Sequence, residues 1–164
     1  MTAADVALFA TIWVALACFV AGQEGQRRAV FTGRTLAWAW PFWCAGALLC
    51  ALHMMLALDL RYGWDHAQAV ASTADQTAAV YGLRWAGGIY VNYVFLAVWV
   101  GEVAWWRLNA RSFLFRRPGV TILVRAFYFI VLVNAAVVFA RPLHRVAGVF
   151  LIVILGFIWR PRSG

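Results

Sequence analysis

The sequence predicts an all-α, polytopic transmembrane helical bundle that forms a single domain over residues 1–164. Two observations predict this fold class. First, 65% of the residues are apolar and only 12% are charged, whereas about a quarter of the residues of a soluble domain are charged. Second, the apolar residues are grouped in five runs, each close to the length of about 20 residues that crosses a bilayer as a helix. The segments between these runs are too short to hold a separate aqueous domain.

We expect the five runs to form membrane spans at about 4–21, 36–58, 86–106, 120–140 and 143–159. The second, third and fourth runs are long enough to cross the hydrocarbon core outright. The first run of about 17 residues covers about 25 Å as a helix, which suits a thin bilayer with arginines reaching out to the interface. The last run is interrupted near its start by Arg141, Pro142 and Arg145, and we expect it to cross in the same way.

The distribution of arginine predicts the orientation of these spans. Ten arginines fall on one side of the membrane: Arg27, Arg28, Arg34, Arg107, Arg111, Arg116, Arg117, Arg125, Arg160 and Arg162. Four fall on the other side: Arg61, Arg84, Arg141 and Arg145. Because short loops rich in arginine stay in the cytoplasm, the N-terminus is predicted outside and the C-terminus inside. The net charge of +8 is then explained by the arginines of the cytoplasmic loops, and it does not indicate a nucleic-acid partner.

The longest polar segment, between the second and third runs, contains an additional helix on the outer side, predicted at 66–81. Asp65 followed by Gln68 is a capping pair, and Gly82 is suited to end the helix in a left-handed conformation. Two adjacent stripes of mostly small residues run along it: Ala67, Ala71, Ala74, Ala78 and Tyr81, and His66, Val70, Thr73, Thr77 and Val80. This face is expected to pack closely, either on the bundle itself or on a partner subunit or ligand, with His66, Thr73 and Thr77 as candidate site residues.

A second candidate site lies on the second span. Trp43, Gly46, Cys50 and His53 follow the spacing of one helical stripe. Gly46 and Cys50 are small enough to admit either a neighbouring helix or a flat apolar ligand, with the His53 imidazole near the outer surface. The stripe therefore has two interpretations, a helix-packing seam and a ligand groove.

Polar side chains inside the spans need partners, because an unpaired charge at membrane depth is costly. Glu102 and Arg125 lie at similar depth in consecutive spans, so the sequence predicts a structural ion pair between them. Asn92 and Asn134 match in depth toward the outer side. Since Asn134 is nine residues from Arg125, it faces away from the third span if the ion pair forms, and His53 becomes a candidate neighbour.

All three histidines, His53, His66 and His144, are predicted on the outer side. Three imidazoles near carboxylates suit a transition metal, and two on different helices suit a haem. Their spacing matches no established ligand signature. Haem, a quinone and a lipid are the ligand classes that this composition admits.

No nucleophile and base at a familiar spacing, no CxxC pair and no phosphate-binding glycine loop occur in the sequence. The leading hypothesis is therefore a non-enzymatic subunit of the bacterial inner membrane. Its outer face would bind a partner protein, another membrane subunit, a second copy of the chain or an apolar ligand. The alternatives are a haem- or metal-binding redox protein that uses the outer histidines, and a small transporter or channel.

Overall fold

The structure, a computed structural model, describes residues 2–140 and 142–160. The helices are α1 (Ala3–Thr32), α2 (Ala39–Tyr62), α3 (His66–Tyr81), α4 (Gly88–Leu108), α5 (Ala110–Leu114), α6 (Pro118–Val133) and α7 (Pro142–Trp159). A π-helical turn, Asn134–Val138, continues α6. The described residues contain no strand, so the all-α fold class is confirmed. Arg141 and Arg162, which the charge distribution included, lie outside the described residues.

Four of the described helices are long and apolar enough to cross a membrane. They are Ala3–Thr32, Ala39–Tyr62, Gly88–Leu108 and Pro118–Val138. The apolar part of α7, His144–Trp159, is shorter. This composition and these lengths are those of an integral membrane protein. We call the end of the bundle that carries α3 the outer end, and the end that carries α5 the inner end, after the orientation predicted from the arginines.

Helix α1 is much longer than the predicted first span. It begins at a capping box between Thr2 and Asp5 and runs to Gly33, which ends it with a φ of 68°. The segment after residue 21, expected as a loop, is therefore helical for about three more turns. The polar residues misled the prediction, because Gln23 and Gln26 are buried against neighbouring helices and are not exposed to water.

Five helices close into a ring in the order α1, α2, α4, α6, α7 and back to α1. An aromatic cluster fills its centre, and four of the helices contribute to it: Phe19 from α1, Trp43 from α2, Phe95 and Trp99 from α4, and Tyr128 from α6. The ring centroid of Phe19 lies 4.9 Å from those of Trp43 and Trp99 and 5.2 Å from that of Tyr128. Such contacts add about 0.5–1.5 kcal/mol per pair to the burial of the rings.

Glycines set the separation between α1 and α2. A Cβ at Gly25 would lie 2.3 Å from the Cβ of Ala39, and one at Gly22 would lie 2.5 Å from the Trp43 ring. Two small residues one turn apart thus allow the α2 backbone to approach α1 closely, as small residues do in membrane helix pairs. The loop between these helices is short, so the two helices are antiparallel neighbours.

Helix α7 lies alongside α1 over most of the bundle. Near the outer end the His144 ring is 4.8 Å from the Phe9 ring. Near the inner end the indole nitrogen of Trp159 donates to Gln23 Oε1 at 2.8 Å. The two contacts are 15 residues apart on α7 and 14 on α1, in the same direction along both chains, which corresponds to about 22 Å of parallel packing.

Candidate functional site

Helix α3 occupies the outer end, and its predicted bounds are confirmed. The Asp65 side chain accepts from the backbone N–H of Gln68, and Gly82 ends the helix with a φ of 72°. The predicted packing face is only partly correct. Ala69, Ala74 and Thr77 are buried, whereas Ala67 and Ala71 are exposed.

Thr73 and Thr77 face the bundle, and neither points a free hydroxyl outward. Each hydroxyl donates to the carbonyl four residues earlier, at 2.9 Å and 2.8 Å. A Cβ at Gly88 would lie 3.2 Å from the methyl group of Thr73, so this threonine packs on the start of α4. Both residues therefore contribute to the packing of α3 on the bundle.

The exposed part of the outer end is aromatic. We define the outer aromatic surface as Trp64, His66, Trp85, Tyr90 and Tyr93. The His66 ring lies 6.0 Å from the Tyr93 ring in a stacked arrangement and 6.1 Å from the Tyr90 ring. Trp64, Trp85 and Tyr90 are 58%, 51% and 52% exposed. Sequence reasoning identified His66 here but did not join it to the tyrosines, because the pairing depends on how α3 folds back onto α4.

Trp64 has an unusual backbone conformation within this surface. Its φ of 64° is the only positive value at a non-glycine position among the described residues. A side chain in this left-handed region costs about 1–2 kcal/mol. The backbone N–H of Trp64 donates to the Leu58 carbonyl at 3.1 Å, which fixes the turn. The fold thus holds a large indole toward the outside at an energetic cost.

His53 lies against α1, half-buried. Its Nδ1 is 3.0 Å from the Leu8 carbonyl oxygen and 3.3 Å from the Thr11 hydroxyl. A carbonyl only accepts hydrogen bonds, so Nδ1 carries a proton in this contact. The imidazole links α2 to α1, and it does not reach Asn134.

The stripe beside His53 is a packing seam. Trp43 is fully buried, and Cys50 is 5% exposed. A Cβ at Gly46 would lie 2.6 Å from the Trp99 ring and 3.1 Å from the Cβ of Cys18. The neighbouring helices α1 and α4 thus fill the space that a flat ligand would take.

The structure does not bring the three histidines together. His53 contacts Leu8 and Thr11, whereas His144 contacts Phe9 and Trp13. At 3.6 residues per turn these two pairs lie on roughly opposite sides of α1. His66 is on α3 and packs on α4. Within residues 2–140 and 142–160, no three His, Cys, Asp or Glu side chains are placed to hold a metal ion.

Asn92 and Asn134 do not pair. Asn92 is exposed on α4. Asn134 begins the π-helical turn, where its amide nitrogen donates to the Ile130 carbonyl at 2.8 Å and its oxygen accepts from the Tyr81 hydroxyl at 2.6 Å. Asn134 thus joins α6 to the end of α3, a contact that sequence depth alone did not indicate.

The predicted ion pair between Glu102 and Arg125 is replaced by another. Glu102 is buried at the inner end, where its carboxylate pairs with Arg116 and accepts from the Tyr128 hydroxyl at 3.0 Å. Arg116 also lies over the Phe113 ring, 4.8 Å from its centroid. Arg125 instead lies over the ring of Trp159, at 5.9 Å.

The different partner has a physical reason in the chain path. Helix α5 and the short turn after it fold back beneath the end of α4, and this brings Arg116 to Glu102. The sequence indicated only that Arg116 lies in the arginine-rich loop between the third and fourth spans. The available signal was Phe113, a large apolar residue in this loop, which is buried in the structure.

Comparison with protein-family models, with curated proteins and with solved structures found no match. The functional interpretation is therefore carried by the geometry of the outer and inner ends.

Proposed function

We propose that this chain is a non-enzymatic integral membrane subunit whose outer face binds a partner protein. The observation that carries the proposal is the outer aromatic surface, where large rings stand about half exposed. In the bundle core, by contrast, Trp43 and Trp99 are fully buried. Exposed clusters of tryptophan and tyrosine are typical of the positions that contribute most to protein binding.

The strained conformation of Trp64 supports the same proposal. Backbone strain persists where the fold overdetermines it, and such positions concentrate at functional sites. Interfacial tryptophans that only anchor a helix in lipid headgroups do not require a left-handed backbone. The indole is thus presented, at a cost in stability, in a fixed direction.

The outward side of α3 is suited to a close partner. Ala67, Ala71 and Ala79 are exposed there and are small. The single internal charge, Asp75, is paired with Arg84 at 2.9 Å. A flat, almost uncharged helix surface next to exposed rings offers area for packing with little desolvation of charge.

The partner is a protein in this proposal and not an apolar ligand, because Trp99 and Cys18 pack where a ligand beside Gly46 would lie. A haem or metal function receives no support from the separated histidines. The proposed partner is another membrane subunit or a second copy of the chain.

The proposal includes five spans with the N-terminus outside, as expected for a bacterial inner-membrane protein. The parallel packing of α7 on α1, with contacts near both ends, supports a fifth crossing, because the first and fifth spans of such a chain run in the same direction. The arginine distribution supports the orientation. The outer aromatic surface then faces away from the cytoplasm.

Co-purification in mild detergent tests this function. We expect Tyr90→Ser with Tyr93→Ser to lower the amount of bound partner at least about tenfold, since truncating central aromatic contacts costs about 2 kcal/mol or more. The matched control is Phe150→Ser, which removes a ring that is 65% exposed on α7. An equal loss of bound partner in the double variant and in the control would contradict the proposal. The same protein composition in the preparations of the unchanged chain, the double variant and the control would also contradict it.

A further inference from the structure

We infer that the inner end carries a binding site for the phosphate headgroup of an anionic phospholipid. This inference concerns the opposite end of the molecule from the proposed partner surface and does not depend on that surface, but it rests on the proposed orientation, which makes the inner end cytoplasmic. It rests on two adjoining grooves, on the arginines that line them, and on the balance of charge at this end.

The two grooves lie between the loop after α1 and helix α5. One has a volume of about 300 Å³ and is lined by Thr35, Leu36, Ala37, Trp40, Pro41, Trp106, Arg107 and Ala110. The other has a volume of about 440 Å³ and is lined by Ala29, Gly33, Thr35, Ala110, Arg111, Leu114 and Phe115. They adjoin, because Thr35 and Ala110 line both.

The lining has the chemistry of an amphiphile site. Arg107 lines the first groove and Arg111 lines the second, and Thr35 lines both. The remaining walls are mostly apolar and include the rings of Trp40 and Trp106. Guanidinium groups bind phosphate through two parallel hydrogen bonds, and apolar walls suit the glycerol and the first carbons of the acyl chains.

Arg107 is already held in position. Its guanidinium carbon lies 5.9 Å from the centroid of the Trp40 ring. The indole nitrogen of Trp40 donates to the Val103 carbonyl at 3.1 Å, which fixes the ring between α2 and α4. A positioned arginine loses less freedom when it binds an anion.

The acidic side chains offer these two arginines no counter-charge. All six side-chain carboxylates of the sequence are described, and only Glu24 and Glu102 lie at the inner end. Glu24 pairs with Arg27 and Arg28, and Glu102 pairs with Arg116. None of the six forms a salt bridge with Arg107 or Arg111, so an anion from outside the chain is suited to balance them.

The position of the grooves selects a lipid as the source of that anion. They lie where α1, α2 and α4 have their inner ends, next to Trp38, Trp40, Trp105 and Trp106, at the level where the aromatic belt marks the headgroup region. Basic pockets at this level on the cytoplasmic side bind anionic headgroups.

The test measures lipid binding to the purified full chain in detergent micelles by native mass spectrometry. The probes are phosphatidylglycerol and phosphatidylcholine with the same acyl chains, with inorganic phosphate as competitor. We expect phosphatidylglycerol to bind in preference. We expect Arg107→Gln with Arg111→Gln to weaken its binding at least about tenfold, because removing even one charge-assisted hydrogen bond weakens binding by about that factor.

The matched control is Arg117→Gln with Arg160→Gln, which removes two inner-end charges that do not line the grooves. We expect it to bind within about threefold of the unchanged chain. Equal loss in both double variants would show diffuse attraction and overturn the site. Equal binding of the two lipids would also overturn it, as would full displacement by inorganic phosphate at concentrations comparable to the lipid.

The single variant Arg107→Lys, which keeps the charge and removes the planar fork, provides a second measurement if a double variant does not fold.

Discussion

Glu102 is 4% exposed and sits in a helix that is otherwise apolar. Two partners hold its carboxylate, the guanidinium of Arg116 and the hydroxyl of Tyr128. Tyr128 also packs on Phe19 and Phe95. A single tyrosine therefore joins the inner polar cluster to the aromatic core. The sequence was sufficient to predict that Glu102 needs a cationic partner. It was not sufficient to show that this partner is Arg116 and not Arg125. That choice depends on the path of residues 109–117.

Replacing one member of this ion pair is predicted to be costly. Glu102→Gln leaves the buried Arg116 charge uncompensated and should lower the free energy of unfolding by about 3–5 kcal/mol. Thermal unfolding in detergent micelles measures the effect. The double variant with Arg116→Gln should recover most of the loss, because no buried charge remains unpaired.

Arg117→Gln is the control for this cycle. It removes the neighbouring exposed arginine and should change the free energy of unfolding by less than about 0.5 kcal/mol. If Glu102→Gln were as mild as this control, the ion pair would not carry the stability that its burial implies.

Helix ends that are set by local capping residues could be predicted from the sequence, whereas those that depend on packing between helices could not. The bounds of α3 could be predicted to the residue, because Asp65 and Gly82 act on their own backbone. The end of α1 could not, because Gln23 and Gln26 look like loop residues until Trp159 and the neighbouring helices bury them. The spacing placed Gly46 on one stripe with Trp43 and Cys50, but only the structure shows that the neighbouring helices α1 and α4 pack against Gly46.

The close contact of α1 with α2 gives a prediction about helix packing. Gly25→Ala places a Cβ 2.3 Å from that of Ala39, so the helices must separate. We expect the free energy of unfolding to fall by about 1–3 kcal/mol, as for other overpacked interfaces. Thermal unfolding of the purified variant measures this.

Gly101→Ala is the matched control, since a Cβ at Gly101 meets nothing within 4 Å. Alanine is the better helix former by about 1 kcal/mol, so this variant should be neutral or slightly more stable. The same loss at both positions would refute a specific role of Gly25 in helix approach.

The bundle as a whole has two ends of different chemistry. The outer end presents rings and a helix of small residues, whereas the inner end concentrates arginine around two grooves. The fold class and the helix order followed from composition and apolar runs. The site geometry did not, because His66 with Tyr93 and Glu102 with Arg116 are pairs that only the tertiary fold brings together.

The crossing of α7 determines where the C-terminus lies. If all five helices α1, α2, α4, α6 and α7 cross, the two termini lie on opposite sides of the membrane. We expect a reporter fused after residue 164 to be active as a cytoplasmic fusion and inactive as an exported one. The opposite result would contradict five spans with the N-terminus outside.

Site-specific photocrosslinking in the intact membrane shows whether the outer aromatic surface is a protein-binding face. A photoreactive residue is placed at Gln68, Ala71 or Tyr90, and at Leu123 and Phe150 as exposed control positions on α6 and α7. We expect one and the same protein adduct from the three outer positions and none of it from the controls. Adducts of equal yield from the control positions, or lipid adducts alone from the outer positions, would contradict the proposed function.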